Sequence, residues 1–421
     1  MKAAAGIACA IAVCGWLAAG SALGTDYRID AGPPIGALAA GDVGAYFDAS
    51  PLLGSFSLLL RAPLAALAGA DTLLEYRLGA FALLLGAGLL AVSVERLMAR
   101  RGQPLAARLV AAGLIVVNPV TAEALSFGHP EEFLGAGLAV GAVLAATRDR
   151  PLAAGLLLGL ALATKQWALI AFLPALLAAP AQRLRLGAVA IAVAAVLTLP
   201  SLIASPGSFA TATENAAGFS YNAGERVTAL NVWFPFAEAR FIEVPDGVGT
   251  AIVEKRSLPA GFVGATHVGI VLLALPLSAL WWFRRRPGAP GGASPEDALL
   301  LLALLLLLRC VLDPWDNQYY HAPFLASLAA WEGLRRRGLP VVTMLVATAM
   351  WLSFDQLAPR SGEGITTALY LGWALPALAW LAAELYSPAA IRSLGKRVRI
   401  SGSPSLTMTR SSIRTPNAPG R

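Results

Sequence analysis

The sequence predicts an all-α membrane protein, a polytopic bundle of transmembrane helices. Three observations carry that reading. Of the 421 residues, 57% are hydrophobic and 14% charged, whereas a soluble domain has about a quarter of its residues charged. Mean hydropathy is +0.66, and apolar runs recur along nearly the whole chain. Those runs, such as Ala298 to Leu308, do not alternate as the ~10-residue strands of a membrane barrel would. Only helices and closed barrels satisfy every backbone group in hydrocarbon, so helices remain.

A bilayer core of about 30 Å asks for about 20 apolar residues per helix. On that basis the chain divides into about twelve spans, at about 3–23, 73–94, 105–124, 132–147, 151–164, 166–180, 185–204, 263–283, 298–312, 319–334, 339–357 and 366–386. The first carries Lys2 and a small-residue stretch near Ala22, which also suits a cleaved signal peptide. A retained anchor is preferred, because the rest of the chain is membrane-bound too.

Orientation follows from the basic residues. With the N-terminus inside, Arg96, Arg100, Arg101, Arg108, Arg148, Arg150, Arg183, Arg185, Arg284 to Arg286 and Arg335 to Arg337 all face the cytoplasm, with Lys2 and the basic tail from Arg392. The bias of Lys and Arg sets orientation. Acidic residues go the other way: only Glu95, Asp149, Glu296, Asp297, Glu332 and Glu384 fall inside. The +7 net charge then reflects loops and tail facing anionic lipid, and no nucleic-acid partner is expected. Residues 1–391 read as one polytopic domain. Residues 392–421, rich in Ser, Pro and Arg, read as a disordered cytoplasmic tail. Cys9, Cys14 and Cys310 lie in apolar segments without metal spacing and read as small embedded hydrophobes.

Two segments shape the outer side. Pro51 to Ala70 is apolar but contains Arg61 and two prolines, and is expected to be re-entrant or interfacial. Pro151 to Pro180 would be about 45 Å long as one helix, and basic pairs flank both ends. It is expected to form a hairpin with Lys165-Gln166 at a recessed outer apex. Long outer loops are expected at 24–72 and 205–262, the second carrying Tyr221, Trp233, Phe234, Phe236 and Phe241.

The residues able to carry chemistry collect on this outer side. Asp42 lies in Gly41-Asp42-Val43-Gly44-Ala45-Tyr46-Phe47-Asp48. A carboxylate at the lipid boundary, its pKa raised by desolvation, can serve as a general base; a solvated turn residue is the plain alternative. The turn Gly128-His129-Pro130-Glu131-Glu132 follows. Pro130 and the acids suit a helix start without any further role, but His129 does not need to be there. Lys165 and Arg309 are cations at hydrophobic depth, which points to function, against snorkelling for Lys165 and an i,i+4 pair with Asp313 for Arg309. Then comes the densest polar cluster: Asp313-Pro314-Trp315-Asp316-Asn317-Gln318-Tyr319-Tyr320-His321. His267 lies near an outer helix end as well. Asp42, Asp48 and His129 could hold a divalent metal, though no spacing argues for one. Carboxylates, histidines and two cations on one membrane face suit an anionic substrate with an apolar part in lipid, such as a lipid-linked phosphate.

Several motifs resemble those of the C-type superfamily of membrane glycosyltransferases, and more narrowly the polyprenol-phosphate-mannose-dependent mannosyltransferases of family 87. They are Asp42-x-x-x-Tyr46 after the first span, Ser50-Pro51-Leu52-Leu53, Ala62-Pro63-Leu64, the stretch Ala154 to Ala161 leading to Thr164-Lys165, and an outer Asp-Pro-x-x-x-x-Tyr-Tyr turn at Asp313 to Tyr320. Where the family often reads Gly-Gln-x-Asn, this chain has Gly128-His129-Pro130-Glu131, which leaves sugar and acceptor open. The resemblance implies inverting transfer from a polyprenyl-phosphate sugar, mannose favoured, to the hydroxyl of an extracytoplasmic glycolipid or glycan acceptor. It implies Asp42 as the general base, and Lys165 and Arg309 as the phosphate ligands. Tyr46, Asp48, His129, Glu131, Glu132, Gln166, Trp233, Asp313, Asp316, Tyr319, Tyr320 and His321 are the further candidate substrate contacts. A transporter or lipid flippase would also use embedded charges, but would be expected to place them at mid-membrane. A scaffold would leave Lys165 and Arg309 unexplained.

Overall fold

A computed structural model describes residues 2–24, 26–49, 54–216, 227–245, 250–259, 261–284 and 294–387. Tyr221, the Ser50 to Leu53 motif and the 392–421 tail lie outside the described residues. The chain is a helical bundle. Its first part contains α1 (Lys2–Ala19), α2 (Gly32–Ala39), α3 (Val43–Asp48), α4 (Ser55–Ala68), α5 (Thr72–Arg100), α6 (Leu105–Val116), α7 (Thr121–Phe127) and α8 (Glu131–Ala146). There follow α9 (Pro151–Leu162), α10 (Phe172–Ala178), α11 (Arg183–Ala204), α12 (Pro206–Ala216), α13 (Phe262–Arg284), α14 (Asp297–Leu312), α15 (Ala322–Arg335), α16 (Val341–Met350) and α17 (Glu363–Tyr386).

Among the described residues, six stretches are long and apolar enough to cross a bilayer: Thr72–Arg100, Leu105–Phe127, Arg183–Ala204, Phe262–Arg284, Val341–Arg360 and Glu363–Tyr386. The protein is therefore multi-pass; six of the twelve expected spans are met by helices of this length. The other six expected spans fall on α1, α8, α9, α10, α14 and α15; apart from α1, with 18 residues, the longest of them have 16, about 24 Å. The shorter ones stop where the chain breaks at Gly128–Pro130, Ala163–Lys165 and Asp313–Asn317. Non-helical backbone at membrane depth is tolerated only when buried in protein or lining a cavity.

The short helices form the centre. Leu299 to Leu307 on α14 and Phe324 to Leu334 on α15 are buried all round, as expected of helices apolar on every face. The helix α8 packs on α5, α9, α10 and α15, and α14 packs on α15 and α17. Glycines set how closely α9 approaches α11. A Cβ at Gly155 would sit 2.7 Å from the Leu186 carbonyl oxygen, and one at Gly159 2.6 Å from Val193 Cβ. The small-xxx-small spacing that lets helix backbones meet in lipid thus accounts for the glycines of the Ala154 to Ala161 motif.

The two ends of the bundle differ. At one end Arg101 pairs with Glu296 at 2.5 Å and donates to the Leu334 carbonyl, and Arg335 donates to Asp297 at 3.0 Å. The buried Glu332 accepts from Val342 N, Thr343 N and Thr343 Oγ1, which caps α16 across the turn. At the far end of α5, 29 residues and about 44 Å away, Tyr27 donates to Glu75 at 2.6 Å and Tyr76 to the Leu125 carbonyl. The first turn of α8, the last of α14 and the start of α15 all lie at this second end.

The expected all-α reading omits one element. Within the loop 205–262, strands β1 (Glu238–Pro245) and β2 (Thr250–Ser257) pair antiparallel, from Glu238↔Ser257 to Pro245↔Thr250. The signal was present in β-branched runs on either side of Asp246-Gly247, but a search for long apolar stretches passes over it. Packing at α9 yields a test. Gly159→Leu overfills the α11 contact and is expected to destabilise by about 1–3 kcal/mol, read as a lower thermal unfolding midpoint in detergent. Gly372→Leu on α17, where a Cβ meets nothing within 4 Å, is expected to leave the midpoint unchanged.

Candidate functional site

The site is built around the break between α7 and α8. Gly128 ends α7 in the left-handed conformation, φ 97°. A Cβ there would lie 2.7 Å from the Tyr27 nitrogen, and one at Gly24 would lie 2.5 Å from the Phe127 carbonyl carbon. The chain after α1 therefore runs directly over this break, and only glycines permit it. The consequence is a contact between distant parts of the sequence: His129 Nε2 lies 3.0 Å from Asp26 Oδ2.

His129 Nδ1 in turn lies 2.7 Å from Glu131 Oε1, and its ring stacks on Tyr319 with centroids 4.8 Å apart. Both ring nitrogens face carboxylates, so both carry hydrogen and the ring is an imidazolium. Burial pulls the His129 pKa down, but the Glu131 charge and the bonds to Asp26 and Glu131 more than offset it, raising it to about 9.

Glu131 is the centre of the cluster. It is 0% exposed and meets three cations: Arg61 Nη2 at 2.5 Å, Lys165 Nζ at 3.1 Å and His129. Arg61 comes from α4, the apolar segment expected to be re-entrant. That segment docks on the α9 break, with Gly54 N donating to the Thr164 carbonyl and Phe56 N to the Ala163 carbonyl. Lys165 sits at the expected break in the 151–180 stretch, recessed with its side chain 14% exposed. It also lies 3.2 Å from Glu132, which accepts from Trp167 Nε1 at 2.8 Å.

Arg309, on the last turn of α14, completes the group. Its guanidinium lies over the Tyr320 ring at 4.4 Å and the Trp167 ring at 5.9 Å. It is buried, and its Nη1 has no hydrogen-bond partner. The ion pair with Asp313, the plain alternative to a functional role for Arg309, does not form. Asp313 instead faces His267 Nε2 at 3.1 Å and accepts from Trp315 N at 3.0 Å. Burial pushes the Asp313 carboxyl up, and the His267 contact, the Arg309 charge and the Trp315 N–H hold it below its ordinary value.

The other candidates fall elsewhere. Asp42 is exposed and caps α3, accepting from Ala45 N at 2.9 Å. Asp48 is exposed and accepts from Ser205 Oγ at 3.0 Å. Tyr46 is buried and lines an apolar groove of about 210 Å³ with Phe47, Leu59, Val196 and Pro200. Gln166 is exposed. Trp233 donates its indole N–H to the Leu312 carbonyl at 2.7 Å and packs edge-on against Phe262, so it anchors the 227–237 segment onto the end of α14. Asp316 and His321 are 0% exposed and face each other at 3.7 Å. Asp42, Asp48 and His129 do not gather around a metal position; among the described residues the converging set is Cys310, Asp316 and His321. The structure adds Asp26, Arg61 and Trp167 to the cluster. Arg61 carried a signal in the sequence, a lone cation in an apolar run. Asp26 carried none beyond its place after the first span.

The raised His129 pKa has a consequence for stability. A group whose pKa is higher folded than unfolded stabilises fully below the unfolded value, and that contribution fades as pH rises through the folded one. The unfolding midpoint of the wild type is therefore expected to gain a His129 contribution below pH ~6.5 that is lost by about pH 9. His129→Asn should abolish this slope; an unchanged slope would remove the imidazolium from the account.

Two solved structures resemble the chain. ArnT from Cupriavidus metallidurans bound to undecaprenyl phosphate is 16% identical with a TM-score of 0.47, covering 96% of this chain and 81% of that one. The archaeal oligosaccharyltransferase AglB from Archaeoglobus fulgidus, in complex with an inhibitory peptide and a dolichol-phosphate, is 14% identical with a TM-score of 0.39, covering 87% and 56%. No curated protein matches. The family model of glycosyltransferase family 87 matches residues 54–309, a stretch that runs from the start of α4 to Arg309 and takes in Arg61, His129, Glu131, Glu132 and Lys165. The chain belongs to glycosyltransferase family 87.

Proposed function

We propose that this membrane glycosyltransferase moves a sugar from a polyprenyl-phosphate donor to the hydroxyl of an extracytoplasmic glycolipid or glycan, with inversion. Mannose is the sugar favoured by the motif resemblance. The observation that carries the donor class is Arg309, a buried guanidinium stacked on Tyr320 with an unpartnered Nη1. Lys165 and Arg61 are ion-paired with Glu131 and Glu132, although Arg61 too keeps Nε and Nη1 without partners; Arg309 differs in having no carboxylate partner among the described residues, which leaves its charge for an incoming anion. A guanidinium suits phosphate in charge and geometry, and stabilises the charge that builds on the leaving phosphate. The apolar groove beside α3 and α11 suits the prenyl chain.

The acceptor hydroxyl needs a base. Asp26 meets the requirement: its side chain is 36% exposed and its Oδ2 faces the His129 imidazolium. In the proposed step the hydroxyl proton goes to Asp26, the glycosidic bond forms at the anomeric carbon, and the bond to phosphate oxygen breaks with its electron pair. The charge at the anomeric carbon makes the transition state oxocarbenium-like. Asp42, the base implied by the motif, is a helix cap on the exposed α3 and is the second candidate. Because Lys and Arg favour the cytoplasm, the Arg101–Arg335 end faces inward and the site outward.

Transfer of radiolabelled sugar from polyprenyl phosphate by the protein in nanodiscs tests this. Arg309→Ala is expected to weaken donor use tenfold or more, the loss of a charge-assisted contact worth about 1.5–3 kcal/mol. Asp26→Asn should lower turnover at least about 10²-fold with donor still bound, while Asp42→Asn stays near wild type. The opposite pattern would move the base to Asp42. Retention of full donor use by Arg309→Ala would sink the phosphate reading. Cysteines placed at Asp48 and Arg360 should react with an impermeant reagent from outside intact cells, and one at Arg150 only after lysis.

A further inference from the structure

Beneath Tyr320, away from the Glu131 cluster, three different metal-binding side chains meet. Cys310 Sγ, a carboxylate oxygen of Asp316 and a ring nitrogen of His321 all lie within 4.8 Å of one another, and all three residues are 0% exposed. They come from the last turn of α14, the break after it, and the single turn of 3-10 helix that precedes α15. Asp316 is the anomaly. Neither of its carboxylate oxygens has a hydrogen-bond partner among the described residues. What faces it is His321 Nε2 at 3.7 Å, the thiol of Cys310, a weak donor, and the backbone N–H of Asn317. A buried carboxyl without a strong hydrogen-bond partner is costly.

The histidine is set up to ligate. Its Nδ1 lies 3.0 Å from the Gln318 carbonyl oxygen, so that nitrogen carries the hydrogen and Nε2 carries the lone pair, which accepts from the Tyr370 hydroxyl and lies 3.7 Å from Asp316. Outer bonds of this kind orient ligating histidines at metal sites. The Tyr370 hydroxyl on α17, 3.0 Å from Nε2, supplies a fourth oxygen. Thiolate, imidazole and carboxylate together select a borderline-soft divalent ion, and the complete burial of all three side chains suits a structural rather than a catalytic site.

We propose that Cys310, Asp316 and His321 hold a structural zinc ion, with the Tyr370 hydroxyl beside it. Zinc–ligand bonds of about 2.0–2.3 Å require the ligand atoms to draw together by about 1 Å. The Cys310 thiol gives up its proton on binding, and the ion supplies Asp316 with the partner it lacks. The ion ties the end of α14 to the break that carries Tyr319 and Tyr320, and so fixes Arg309 against Tyr320. This inference does not depend on the sugar donor or on the base.

The test is metal content and spectroscopy of the full-length protein, purified in detergent without chelator. A stoichiometric amount of zinc is expected by plasma mass spectrometry. After removal of zinc, added Co²⁺ should give thiolate-to-cobalt charge-transfer bands that persist in a Cys9→Ser/Cys14→Ser protein. Cys310→Ser should lose those bands, and Asp316→Asn and His321→Gln should lose metal. If the wild type retains no zinc after equilibration with it and shows no cobalt–thiolate band, the proposal is overturned, whether or not any variant folds. It is equally overturned if Cys310→Ser, Asp316→Asn and His321→Gln all keep the full zinc content of the wild type.

Discussion

The structure depends on one buried carboxylate. Glu131 has no contact with solvent, and it is held by Arg61, His129 and Lys165, which arrive from three separate stretches of chain. A charge at that depth cannot persist unpaired. Removing one partner from a buried pair typically costs about 3–5 kcal/mol. The converse matters as much here: Glu131 meets all three cations because α4, the α7–α8 break and the α9 break converge on it. Desolvation alone does not reward burying such ions, so the cluster is weak evidence for stability and stronger evidence for specified geometry.

That constraint explains why the central helices are short. The cations and acids can meet only if backbone leaves the helix near them, and each break turns a side chain inward. The break after α7 delivers His129, the one after α9 delivers Lys165, and the one after α14 delivers Tyr319 and Tyr320. Each break exposes carbonyl and N–H groups that lipid cannot satisfy. The neighbouring segments satisfy several of them: Gly54 and Phe56 pair with the carbonyls of Thr164 and Ala163, and Thr228 N and Asn231 Nδ2 donate to the Pro314 carbonyl. The loop 227–237 is therefore part of the site wall. Trp233, expected on aromatic grounds to meet the acceptor, has its N–H committed to that same wall.

Much of this was legible because membrane physics is severe. The helical class, the separation of basic from polar ends, the chain break at Lys165 and the burial of Arg309 beside Tyr320 all follow from where polar residues can sit in an apolar chain. The pairings were not legible. Arg61 and Glu131 are 70 residues apart, and Asp26 and His129 are 103 apart; no periodicity links them. A local motif drew the first-loop base to Asp42, yet Asp42 answers a local need, the free N–H groups at the start of α3. Gly155 and Gly159 could be seen as a pattern, but the reason for them lies on α11.

The two cations that the sequence singled out turn out to differ in kind. Lys165 is a compact charge shared between Glu131 and Glu132, so it balances acids that the fold has already buried. Arg309 is broad and weakly hydrated, lies on aromatic rings and has an N–H to spare. Exchanging the two would not be conservative: an ammonium at 309 would lose both the stacking and the forked donors, and a guanidinium at 165 would have to fit its plane between two carboxylates placed for a point charge. The polar site thus divides into a balanced part that holds the breaks together and an unbalanced part that can receive charge. A phosphate leaving group, as proposed for this enzyme, would call for the second kind, and Arg309 is of that kind, beside but not within the Glu131 network.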